Sequence, residues 1–444
     1  MLIAVVCALA LGHDANAQPL NLCWLRILLA CSGIALSGFA AKLIVIACEG
    51  SSPPVSAGWI RRMHQLHLVL WLALAGFLVF IVDWVTIVRT NWNFGTSILI
   101  DELLILAPLV APWILSWVIL YDLDATNRQR GSFAATANDR LKFAWLNLQM
   151  VFGIGIIPVL VVCFVGDVAA LVDPELVEGK QALALFAVPM LFLMLAYPEI
   201  LRRFWKTRPL TDASLQSRLA QFAKDHGIKV GKLRVWQTDG RVANALVTGL
   251  LPRLRTVLFT DRLLDILTDD EVEAALAHEM GHIAKFHLPL RLVALALPMM
   301  VCSLLSDLFT LLNPAISEPS DLSVTVGVWC LVGITLLYMW LALGWYSRQL
   351  EHEADLWACL RLKARGGEPA VRTYVDALSK LTGGSGKRGW LHPSLEDRIA
   401  FIHHSLIDET VAARFSTRLR TLAWIGTTVL VLGLMGLAFA FAGQ

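Results

Sequence analysis

The pentad His278-Glu279-Met280-Gly281-His282 is the stretch of this 444-residue chain best suited to metal chemistry. Histidines at i and i+4 project from one face of a helix, so two imidazoles can meet one zinc ion. Glu279 lies between them, displaced around the helix. There it can take a proton from a water attacking a polarised carbonyl, the role of a general base. A catalytic zinc needs three protein ligands and an open fourth position, so one ligand must come from elsewhere. His287 follows His282 by five residues, off that face, and reads better as an interfacial histidine beside the next apolar run. The run Ser347-Arg348-Gln349-Leu350-Glu351-His352-Glu353-Ala354-Asp355 offers carboxylates instead. Glu351 and Asp355 are four apart and share a helix face, which Glu353 does not. A ligand at Glu351, with Asp355 steadying a ligating histidine, fits that spacing. A solvated acidic helix surface fits it equally well.

The residues before the pentad supply a frame for it. Segment 212–228 reads as a short helix with Leu215, Leu219, Phe222 and Ala223 on one face. Strands follow at Lys229–Trp236, Ala243–Val247 and Thr256–Thr260, with a turn at Asp239-Gly240. A short helix over 261–268 precedes a longer one, capped by Asp269 or Asp270 and acidic in its first turn. The pattern predicts a small sheet laid against the helix of the pentad.

Lipid is the main solvent for the rest. Apolar residues make up 57% of the chain and charged residues only 16%, against about a quarter in soluble domains. The net charge of +2 and the lack of a long basic run give no support for a nucleic-acid partner. Eight cysteines occur without a C-x-x-C pair, mostly in apolar runs, and read as small buried hydrophobes. Eight hydrophobic runs lie at 22–47, 66–88, 97–120, 143–166, 181–199, 290–313, 324–345 and 420–441. Each is near the 18–20 residues a membrane helix needs. Residues 1–17 have the apolar core and small-residue end of a signal peptide but lack its basic start.

Loop charges orient these runs. Arg61 and Arg62, then Arg128, Arg130, Arg140 and Lys142, then Arg202, Arg203, Lys206 and Arg208 fall in alternate loops. By the positive-inside rule those loops are cytoplasmic. Segments 200–289 and 346–419 are then cytoplasmic too, and both chain ends lie outside. The two runs at about 290–345 act as a hairpin that returns Glu351 to the face of His278.

With these blocks in place, the sequence resembles the membrane zinc endopeptidases that include the type I CAAX prenyl proteases and the HtpX heat-shock proteases. Asn244-Ala245 with Gly249, the pentad, Ser347-Arg348 with Glu351, Ala354 and Asp355, and His392-Pro393-Ser394 with Arg398-Ile399 match in order. The resemblance implies His278, His282 and Glu351 as ligands of one Zn2+ per chain and Glu279 as the catalytic base. It implies an electrophilic or substrate-orienting role for His392 and a structural or cleft role for Arg398. Asn244 and Ala245 would be an edge strand beside the site, able to pair with an extended peptide. The last run, 420–441, departs from the seven-span prenyl protease pattern.

The expected fold is an α-helical multi-pass membrane protein. It carries a split, mostly helical, zincin-like (gluzincin) catalytic domain with a small β-sheet. Residues 1–199 would form an N-terminal membrane region of about five spans. Residues 200–419 would form the catalytic domain, interrupted by the hairpin, and 420–444 the last span. The expected activity is a zinc endopeptidase of a bacterial-type inner membrane, acting on membrane proteins or unfolded polypeptides at the cytoplasmic face. A processing protease for lipidated C-termini and a non-proteolytic zinc-binding sensor or scaffold are the alternatives. Glu279 argues against the last, since a closed structural site needs no base.

Overall fold

The computed structural model describes residues 19–442 apart from 50–56, 93, 95–96, 128–135, 174–175, 177–181, 313–332 and 384–388. The signal-like start, residues 324–332 of the run 324–345 and the acidic loop 314–323 therefore lie outside the described residues. The chain divides into two compact units, Met1–Met194 and Leu195–Gln444.

The first unit is helical, with long helices at Cys23–Glu49, Ala57–Gly76 and Ile100–Asn127. Its core gathers Trp71, Leu78, Ile87, Ile105 and Leu109. Pro108 has no N–H to offer the carbonyl of Leu104 one turn back, a cost that must be met inside an apolar helix. The indole of Trp84 donates to that carbonyl at 3.0 Å. Trp84 reaches it because the run 66–88 is not one straight helix. Gln65–Ile81 and Trp84–Trp92 meet at 58°, with Asp83 left-handed at the break. Likewise, the run 143–166 is interrupted by a π-helical turn at Phe152–Ile156, where Phe-Gly-Ile-Gly-Ile interrupts the apolar stretch.

Among the described residues, four helices are long and apolar enough to cross a membrane. They are Cys23–Ala47, Ile100–Tyr121, Leu185–Phe204 and Glu409–Gly436, and the bent pair makes a fifth if counted as one span. The run 181–199 falls on a qualifying helix, whereas 290–313 qualifies only as the shorter apolar segment His287–Pro298.

In the second unit, four strands form a sheet in the order β1-β2-β4-β3. They are β1 (Thr207–Pro209), β2 (Lys232–Trp236), β3 (Ala245–Thr248) and β4 (Thr256–Thr260). β2 and β4 are parallel; β1 and β3 pair antiparallel at the two edges. The short β1 carries Pro209, which belongs on an edge, and the sequence reading missed it. Every residue of β4 is buried, so the sheet is covered on both faces at its centre. The helix Ala213–Asp225 begins at Asp212, whose carboxylate accepts from the Ser214 and Leu215 amides. It buries Leu215, Leu219, Phe222 and Ala223, the face that the sequence picks out.

The helix Asp269–Ala284 is buried nearly all round, including Glu271 and Glu273. Its N-cap is Thr268 rather than Asp269 or Asp270. Thr268 and Glu271 bond each other's backbone amides in a capping box, leaving the aspartates to the first turn. The two buried glutamates are paired. Glu271 meets Lys380 at 2.6 Å, and Glu273 meets Arg218 at 2.7 Å and Arg365 at 3.1 Å.

This helix lies against the long helix Gly344–Thr382. The contact is backbone to backbone: a β-carbon at position 281 would lie 2.9 Å from the Cα and carbonyl oxygen of Ala354. Only glycine permits that approach. The long helix also folds back on itself. A straight helix would separate Asp355 and Tyr374 by about 28 Å at 1.5 Å per residue, yet their side chains bond at 2.5 Å. The reversal occurs at Gly367, with φ 67° and ψ −158°, just before Pro369.

Gly281→Ala should force the two helices apart. Overpacking of this kind costs about 1–3 kcal/mol, and a lower midpoint in thermal or denaturant unfolding of the detergent-solubilised protein is the expected result.

Candidate metal centre

Gly281 holds the helix of the histidine pair so close to the long helix that Glu351 faces both rings. The Nε2 atoms of His278 and His282 are 3.2 Å apart. Glu351 places Oε2 at 3.5 Å from the first and Oε1 at 3.6 Å from the second. Ligand atoms about 2.0–2.1 Å from a tetrahedral zinc lie about 3.3–3.4 Å from one another. The three side chains therefore fit one such ion, with a fourth position left over. Ligand atoms of His278, Glu279 and His282 also fall within 4.8 Å of each other. Glu279, however, accepts the backbone N–H of Val247 in β3 at 3.0 Å through Oε2. That bond draws it towards the sheet, and Glu351 is the better third ligand by distance.

Each ring is backed on its far side. His278 Nδ1 lies 2.9 Å from Asp355 Oδ1 and 3.0 Å from the Tyr374 hydroxyl. Asp355 is fully buried and also takes two bonds from Arg398, at 2.7 and 2.5 Å. His282 Nδ1 meets His287 Nδ1 at 2.7 Å, and His287 Nε2 meets Glu353 Oε2 at 3.1 Å. Arg291 reaches Glu351 Oε1 at 2.6 Å, and His392 Nδ1 lies 3.1 Å from Glu351 Oε2. The loop bearing His392 is tied to the long helix, since Arg348 donates to the Trp390 carbonyl at 2.6 Å.

Burial and charge set the protonation of these groups. Burial resists a charge on His278, but its bonds to Asp355 and Glu351 outweigh burial and lift it to about 9. Burial drives His282 well below its ordinary value, keeping that ring neutral. Burial would also raise Glu351, yet His278 and His392 hold it well below the carboxylate range. Glu279 lacks such partners. Burial dominates there, opposed by His278 and the Val247 amide, and its carboxyl rises to about 7. A base poised near neutrality is suited to take and return a proton.

These groups line a cleft of about 500 Å³ together with Ala243, Asn244 and Ala245 on one side. Ala377, Leu378, Leu381 and Leu395 make an apolar wall. Asn244 turns its backbone towards β4, donating to Thr260 Oγ1 at 2.9 Å and accepting from the Thr260 amide at 3.0 Å. Backbone directions alternate along a strand, so Ala245 and Val247 turn theirs to the open edge and the cleft.

Residues 209–406 match Peptidase family M48. A protease HtpX homolog of Neisseria meningitidis serogroup B (strain MC58) is 31% identical over 212 residues, which is 43% of this chain and 71% of the relative. The chain belongs to peptidase family M48. An HtpX homolog of Janthinobacterium sp. (strain Marseille) is 29% identical over 209 residues, 43% of this chain and 71% of that protein. The solved structure of Ste24p from S. mikatae aligns over 87% of this chain and all of its own, with a TM-score of 0.50 at 18% identity. That likeness is one of fold. As an M48 protein with several membrane-length helices, the chain is a membrane metalloprotease.

The structure brings every site residue singled out in the sequence into one region of this M48 domain. His278, His282 and Glu351 converge, Glu279 and His392 flank them, and Asp355 and Arg398 stand behind His278. Four contributors were missed. Tyr374 carries no local signal, because only the reversal at Gly367 returns it to Asp355. Arg291 sits in what reads as a membrane run. His287 fails a same-face test only if one helix continues through it. The helix ends at Ala284, Phe286 is left-handed at φ 56°, and a new helix starts at His287, which turns its ring back to His282. Glu353, off the face of Glu351, is where His287 leads.

Removing Asp355 would leave Arg398 buried and unpaired, so Asp355→Ala should cost about 3–5 kcal/mol. Denaturant unfolding checks this. Burial opposes ionisation of Asp355, but Arg398 holds its carboxyl low. A depressed folded-state value means its contribution is complete above about pH 4, the unfolded aspartate value. It should fade as pH falls below that, and stability curves of wild type and variant should converge in strong acid.

Proposed function

We propose that this chain is a zinc-dependent membrane endopeptidase that binds one Zn2+ through His278, His282 and Glu351. The observation that carries the reading is the pair of Nε2 atoms 3.2 Å apart with one Glu351 oxygen 3.5 or 3.6 Å from each, close to the about 3.3–3.4 Å edges of a tetrahedral site. When bound, zinc would act as a Lewis acid on a peptide carbonyl and ease deprotonation of an attacking water. Glu279 accepts that proton and can deliver it to the departing amine. Its carboxylate is aimed by the Val247 amide. His392, with its side chain 66% exposed at the cleft, can donate to the oxygen on which negative charge develops.

An extended polypeptide would lie along β3, pairing with the outward backbone groups of Ala245 and Val247, while Asn244 anchors that strand to β4. The apolar wall favours hydrophobic stretches, such as those of unfolded or membrane proteins reaching the cytoplasmic face of a bacterial-type inner membrane. A processing protease for lipidated C-termini would use the same machinery. The two part on whether cleavage requires the lipid.

Glu279→Gln should still bind one zinc but lose about 10²–10⁴-fold in turnover of an unfolded membrane substrate; undiminished cleavage would discard the mechanism. Glu351→Ala should lose the metal itself, as read by elemental analysis. Glu279 must be ionised to act, and a neighbouring dication stabilises that form. The acid limb of kcat/KM should therefore lie at or below about pH 7. Reporter fusions at Asp173 and at the C-terminus should both read outside; a cytoplasmic C-terminus would contradict the orientation.

A further inference from the structure

We propose that His287 and Glu353 are positioning residues for the metal centre, a one-way hydrogen-bonded relay that fixes the tautomer and ring plane of His282. The inference rests on the zinc reading above and goes beyond it, since neither residue touches the ion.

The direction of the relay follows from its far end. Glu353 is buried, and its Oε2 lies 3.1 Å from His287 Nε2. An ionised carboxylate only accepts, so His287 Nε2 carries the proton and donates it. Lys285 sits 3.3 Å from Oε1 of the same carboxylate and balances its charge. The neutral ring of His287 then presents a lone pair at Nδ1. His282 Nδ1, 2.7 Å away, must donate to it. With its proton placed at Nδ1, His282 has its lone pair at Nε2, the atom that faces His278 Nε2 and Glu351. Reversing any link would put a proton on the nitrogen needed for the metal.

The packing leaves little room for another arrangement. His287 is 1% exposed, so its ring cannot turn to solvent for a different partner. The left-handed Phe286 fixes where the new helix begins, and hence where His287 points. The two ligating rings thus receive the same support by different routes. His278 leans on Asp355 directly. At Nδ1, His282 meets His287 rather than a carboxylate and leans on Glu353 through that second imidazole.

Such outer partners typically change metal affinity by about 10–100-fold when removed. The test uses full-length protein in detergent, loaded with Zn2+ and titrated with a competing chelator. His287→Leu and Glu353→Ala should each weaken zinc binding by about that factor and shift the visible bands of the Co2+-substituted protein. His287→Asn sets a carbonyl oxygen near the former Nδ1 position, so it should recover most of the loss by again accepting from His282. A purely structural role predicts the reverse order, because a buried leucine packs better there than an asparagine. Wild-type affinity and an unshifted cobalt spectrum in His287→Leu would overturn the relay alone. Failure of the wild-type protein to bind zinc would overturn the relay and the metal site together.

Discussion

The catalytic unit depends on one contact, the backbone approach of Gly281 to Ala354. The two histidines lie on one helix and Glu351 on another, so their separation is set by how closely the helices pack. Any side chain at position 281 widens that gap and draws the two imidazoles away from the Glu351 carboxylate. Ala354 sits between Glu353 and Asp355, so the same contact also sets the reach of the carboxylates behind both rings. Sequence imposes this with a single glycine inside a helix, where glycine is otherwise disfavoured by about 1 kcal/mol. The local cost is accepted because no other residue fits.

A second constraint follows from putting so much charge inside. Glu271, Glu273, Glu351, Glu353, Asp355 and Arg398 are all buried. Unpaired, each would carry a desolvation penalty of several kcal/mol. The fold answers with arginines and lysines drawn from distant segments: Arg398 for Asp355, Arg218 and Arg365 for Glu273, Lys380 for Glu271 and Lys285 for Glu353. Glu279 is the exception. Its partners are a backbone amide and the shared charge of His278, and its carboxyl floats up to about 7 where Glu271, Glu351, Glu353 and Asp355 are held low. Withholding a cation from this one acid separates a base that can exchange protons from acids that serve as anchors.

What could be read in the sequence divides along the same lines. The histidine pair was legible because i, i+4 spacing survives on any helix. Glu351 and Asp355 were legible because their i, i+4 spacing puts both carboxylates on one helix face. The buried stripe of the helix Ala213–Asp225 showed in its periodicity. Two of the hidden contributors lie directly beyond a break in regular backbone. His287 follows the left-handed Phe286, and Tyr374 follows the reversal at Gly367. Face arguments assume that one helix continues, and both breaks violate the assumption at a single residue. The cap was misplaced for a related reason: three consecutive candidates, Thr268, Asp269 and Asp270, compete, and Glu271 decides for the one three residues before it.

The edge strand links these themes. β3 turns the backbone of Ala245 and Val247 to the cleft, but the Val247 N–H is already held by Glu279. A peptide adding to this edge can therefore use the groups of Ala245 and the carbonyl of Val247, while the remaining amide stays with the base. On the proposed reading, the strand that would receive the substrate is also the strand that orients Glu279. A shift of β3 along β4 by one residue would turn the wrong set of groups to the cleft and release Glu279 at once. Asn244 opposes that slip, because both its backbone groups are tied to Thr260 at the end of β4. The register of β3, the backbone groups it turns to the cleft and the orientation of Glu279 are one structural variable here, fixed by a strand of four residues.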